Sequence, residues 1–157
     1  MGIPTEILRR MRAVSNDEAD KKNPRIPGTL RALSAAEKPH AEKVAELQLG
    51  EAAVRRADEG RTLAEASIAA WTGKLSNISA GVILGTTEED EESAALFEIE
   101  QSTRIANRYI RAKPILLARV DAARRAVASA ANRVQELRDL LERQRDEARE
   151  EIAREGL

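Results

Sequence analysis

The chain has 157 residues, 34% of them charged and only 2% aromatic, with a formal net charge of -1 and no cysteine. A thick globular core needs bulky side chains that this composition does not supply, whereas a thin seam between helices can be built from Ala, Leu, Ile and Val. Near-neutral charge weighs against a binder held wholly by phosphate electrostatics, and the lack of Cys excludes disulfides and thiolate metal sites.

Residues 1–38 differ in character from the rest of the chain. Pro4, Thr5 and Glu6 can open a short helix with Thr5 as its cap. Ile7, Leu8, Met11 and Val14 give that helix one apolar face, flanked by Arg9, Arg10 and Arg12. The arginines are not followed by an apolar stretch, so no secretory signal is visible. Ser15 to Asp20 ends the helix, and Asn23-Pro24-Arg25-Ile26-Pro27-Gly28 reads as extended or turned, because each Pro disfavours helix at the residue before it. Residues 16–30 are expected to form an arm that crosses a surface, with Ile26 among its contacts. Ser34-Ala35-Ala36-Glu37 fits a capping box, but Pro39 suits the first helical position better, so a long helix is expected from 39 to 84.

In that helix Leu47, Val54, Ile68, Leu75 and Val82 fall on one heptad position and Ala57, Ala64, Trp71 and Ile78 on the other. Such three- and four-residue steps mark a seam against a second helix. Lys43 and Arg61 interrupt it, and Gly50 and Gly60 weaken it, at a cost of about 1 kcal/mol each relative to Ala. Gly85 is a helix-ending residue, residues 85–87 form the turn, and Thr86 or Thr87 can cap a new helix. Glu88 to Glu92 then stand where a helix N-terminus favours negative charge.

The second helix is expected over 88–155. Leu96, Ile99, Ala106, Ile110, Leu117, Val120, Val127, Ala131, Val134, Leu141, Ala148 and Ile152 follow a heptad pattern, but Thr103, Lys113, Arg124, Arg138 and Arg145 share its positions, so the seam is leaky. Pro114 predicts a bend. Folding back at residue 86 brings Pro114 level with Asp58 to Gly60 and leaves the last turns of the second helix to meet the N-terminal arm, another subunit or solvent. The apolar runs Gly81 to Leu84 and Ile115 to Ala118 are too short to span a bilayer.

Chemistry has little foothold. Glu37 and His40 have the Glu-x-x-His spacing of di-iron bundles, but such a site needs a second pair and two further Glu, and His40 is the only histidine. The acids 88–92 lack the alternating ligands of a calcium loop, and Gly73-Lys74 lacks the upstream Gly of a phosphate loop. No catalytic residue, metal ligand or cofactor is assigned. Arg104, Arg108 and Arg111 share a helix face within a basic stretch, 104–125, that Asp121 alone opposes. That face suits phosphate or an acidic protein surface; the alternative is a solvated flank paired with the acids around 88–100 of a neighbouring copy. Ile83 and Leu84 continue past the seam at the hairpin tip and form a candidate contact knob.

The expected fold is all-α: a long antiparallel, coiled-coil-like helical hairpin with an extended N-terminal arm carrying a short helix. A two-helix seam buries little per residue, so association is expected. The expected function is a non-catalytic structural or assembly subunit of a larger complex, in the cytoplasm or within a particle such as a virion. Its partners are proteins or further copies of itself, bound through Ile7, Leu8, Met11, Ile26, Ile83 and Leu84. The alternative is a nucleic-acid-associated helical module using Arg104, Arg108 and Arg111.

Overall fold

The computed structural model describes residues 2–156. It is an all-α helical hairpin preceded by short helices: α1 (Thr5–Arg12), α2 (Asn16–Lys22), α3 (Ile26–Leu84) and α4 (Glu89–Glu155). The chain divides into two compact units, one from residues 46–123 and one from residues 1–45 with 124–157.

The unit of residues 46–123 holds the turn. Gly85 adopts a left-handed backbone, φ +79°, that only glycine takes without strain. Its N–H reaches the Val82 carbonyl at 3.1 Å and the Thr86 N–H reaches the Gly81 carbonyl at 2.9 Å, the paired bonds of a Schellman stop. Thr86 and Thr87 therefore close α3 instead of capping α4. The Thr87 side chain lies where a Cβ on Gly81 would stand, so Gly81 must stay small. α4 then opens with Glu89, Asp90, Glu91 and Glu92 in its first turn.

Below the turn, the α3 side of the seam follows the sequence pattern. Ala57 and Ala64 are buried, and Leu47, Val54, Ile68, Trp71, Leu75, Ile78 and Val82 are half-buried. The α4 side departs from it by one residue along one of its two rows. Ala95, Ser102, Tyr109 and Leu116 face inward, alternating with Ile99, Ala106, Lys113 and Val120, whereas Leu96, Ile110 and Leu117 remain 50%, 42% and 43% exposed. The same row also carries Thr103, Arg124 and Arg138, all exposed, and Arg145, half-buried on Asp20. Leaving half of a leucine wet forfeits only about 1 kcal/mol. Lys113, half-buried on the seam, is matched by Asp58 at 2.7 Å. That pair lies at the level expected for Pro114, and Ser102 donates to Ser67 at 3.0 Å farther up.

The two seam glycines are contact sites. A Cβ on Gly50 would come within 3.1 Å of Val120, and one on Gly60 within 2.4 Å of the Tyr109 ring. The helices approach closely at these points because no side chain stands between them. α4 runs unbroken through Pro114 and α3 through Pro39, both exposed.

In the other unit the expected extended arm is helical. α2 occupies Asn16–Lys22, with the Ser15 hydroxyl accepting from the Glu18 N–H at 3.2 Å, Asp17 and Glu18 in its first turn and Lys21 and Lys22 in its last. α3 begins at Ile26 and not at Pro39, so Ser34 is mid-helix and caps nothing. Pro27 is accommodated because the first turn of a helix has no partner for its N–H groups. α1 starts at Thr5 after Pro4, without a side-chain cap.

These elements meet the C-terminal part of α4. Ala19 and Ile26 are wholly buried against Leu141 and Ala148, with Val14, Leu30 and Leu33 packed around them. Burying the Ile26 side chain contributes roughly 2–3 kcal/mol. The Thr29 hydroxyl donates to Gln144 Oε1 at 2.7 Å inside this cluster, which satisfies both polar groups. Arg145 forms a fork on Asp20, at 2.8 and 3.0 Å, and Arg149 donates to Asn16.

Gly60→Ala is expected to lower stability by about 1–3 kcal/mol through the clash with Tyr109, although the same change in an unhindered helix gains about 1 kcal/mol. Urea midpoints measure the sign, and in a Tyr109→Ala background Gly60→Ala should become stabilising.

Candidate association surfaces

The structure separates the candidate contact residues into two groups. Ile7, 2% exposed, and Ile26, fully buried, belong to the chain's own interior. Leu8 is 39% exposed, and Met11 is half-buried. Both line an open groove of about 660 Å³ whose opposite wall includes Arg143, Asp146 and Glu147 of α4. Its rim mixes both charges, so the groove favours no single sign of ligand.

Ile83 and Leu84 are 86% and 76% exposed beside the turn. Five more large apolar residues of the same unit are also open and are not singled out by the heptad pattern: Leu49 at 70%, Leu63 at 73%, Phe97 at 56%, Ile105 at 40% and Ile115 at 60%. A signal for them exists in the sequence. All five are apolar residues off the heptad seam, so they have no partner once the two helices pair.

The basic stretch is less uniform than its sequence suggests. Arg104, Arg108 and Arg111 are exposed on α4. Arg104 is held by Glu100 at 2.7 Å, one turn before it, and Lys113 is drawn into the seam by Asp58. Arg108, Arg111 and Arg119 have no ion pair among the described residues. At the other end of α3, Glu37 faces Arg138 at 3.7 Å and His40 is half-buried. Among the described residues no group of three or more His, Asp or Glu side chains is placed to hold a metal ion, and no helix is long and apolar enough to cross a membrane.

No protein-family model matches the chain, and no curated protein or solved structure is significantly similar to it.

Charge pairing near the chain ends fastens α2 to α4. Lys22 donates to Glu155 with Glu151 nearby at 3.9 Å, and the Glu155 hydrogen bond holds the Lys22 ammonium above its ordinary pKa. The same effect from Asp20 raises Arg145, and the Arg9 hydrogen bond lowers the Glu6 carboxyl. A raised lysine pKa adds stability that is complete below the unfolded value of about 10.4 and disappears as pH rises through the folded value. Melting temperature is therefore expected to fall on the alkaline side of pH 10 more in the parent chain than in Lys22→Met, which should be insensitive to this loss.

Proposed function

We propose that this chain is a non-catalytic structural or assembly subunit that joins a larger complex through apolar side chains on its long helices. The supporting observation is the exposure of Ile83 and Leu84 beside the turn, together with Leu49, Leu63, Phe97 and Ile115 on the same unit. Contiguous apolar groups left open mark contact surfaces, and Ile83 and Leu84 are such neighbours. A particle-forming role, such as in a virion, would place these contacts between neighbouring subunits. The N-terminal segment is packed on α4 of its own chain, so the contacts are assigned to the long helices.

A second reading uses Arg108, Arg111 and Arg119, which have no acidic partner within the described chain, as a nucleic-acid-associated face. Counterion release would make that binding strongest at low salt; absence of any DNA or RNA gel shift there removes this reading.

Light scattering in solution tests the assembly reading. The parent chain is expected to exceed its 17.3 kDa monomer mass at micromolar concentration, and Ile83→Ser with Leu84→Ser should move it toward that mass with helicity unchanged. A parent chain that remains at the monomer mass throughout contradicts self-assembly.

A further inference from the structure

We infer that a second copy of this chain packs antiparallel against one outer face of α4, about a two-fold axis at Ile105. The inference rests on the assembly reading and gives it a partner and a register. Within residues 46–123, helical spacing gathers Glu91, Ala94, Glu98, Ile105, Ala112, Ile115 and Arg119 on one stripe that flanks the row meeting α3, all of them exposed except half-buried Ala112. Ile105 and Ile115 are 40% and 60% exposed there.

Charge is segregated along the stripe. Acids occupy its N-terminal half, and Arg108, Arg111 and Arg119 its C-terminal half or edge, while Arg104, on the same edge just before Ile105, is neutralised by Glu100 at 2.7 Å. Among the described residues none of Glu91, Glu98, Arg108, Arg111 and Arg119 has an ion-pair partner in its own chain. A parallel copy would set acid against acid and base against base. An inverted copy reverses this. With Ile105 facing its own symmetry mate, Glu91 comes level with Arg119, Glu98 with Arg111, and Gln101 with Arg108, all in one register to within a residue. The same register sets small Ala94 against large Ile115, the alternation that lets two helices interdigitate. Both halves of each pair come from one sequence, so the contact is isologous and closes at two chains.

The cysteine-free chain allows a direct test. Under mild oxidation Ile105→Cys is expected to form a disulfide-linked dimer. Ile115→Cys alone should not, and Ala94→Cys combined with Ile115→Cys should. Arg119→Glu should weaken the dimer about tenfold, because two exposed ion pairs become repulsive, and adding Glu91→Arg should restore it. Circular dichroism confirms that each variant is folded. An oligomeric parent chain in which Ile105→Cys fails to cross-link, or in which Ile115→Cys links to itself, overturns this face and leaves the assembly reading standing. A parent chain that is monomeric at every concentration overturns both.

Discussion

The fold depends on where α4 turns its arginines. One heptad row of α4 offers Leu96, Ile110 and Leu117 but also Arg124, Arg138 and Arg145. Within residues 46–123 its Leu96, Thr103, Ile110 and Leu117 all stay exposed; farther on Arg124 and Arg138 do too, while Arg145 is half-buried on Asp20. Keeping a guanidinium in water avoids a desolvation cost of several kcal/mol, whereas a half-exposed leucine forfeits only about 1 kcal/mol. The neighbouring row of Ala95, Ser102, Tyr109 and Leu116 takes their place. A seam built from such small side chains brings the backbones close, which is why Gly50 and Gly60 on α3 stand opposite Val120 and Tyr109.

The displaced arginines are used again at the chain ends. Arg145 forks on Asp20 of α2, and Arg138 approaches Glu37 of α3. Between these polar contacts, Ala19 and Ile26 cover Leu141 and Ala148, the apolar surface that a bare hairpin would leave open. The N-terminal residues thus serve the interior of their own chain, while the exposed apolar groups collect on the unit that contains the turn.

The helical hairpin, its stop at Gly85 and the placing of the Pro114 region beside Asp58 to Gly60 were legible from periodicity and a single glycine, because each follows from local backbone geometry or simple counting along two helices. The one-residue displacement on α4 was not, since both rows carry the same period. α2 was missed although Ser15 and Glu18 have capping-box spacing; the prolines at 24 and 27 outweighed that signal, and Pro27 in fact sits where a helix tolerates it. Of the candidate contacts, Ile7 and Ile26 were apolar for an internal reason, and a sequence pattern alone does not separate the two uses.

The joining of both termini in one unit also orders events during synthesis. The turn and the α3–α4 contacts beside it link residues near in sequence and can form as soon as they leave the ribosome. α1 and α2 have no such opportunity, since Asn16 and Lys22 bind Arg149 and Glu155, each 133 positions away. At roughly 5–20 residues per second, Ile7, Ala19 and Ile26 stay uncovered for several seconds or longer, an interval in which a chaperone or a neighbouring nascent chain has access to them.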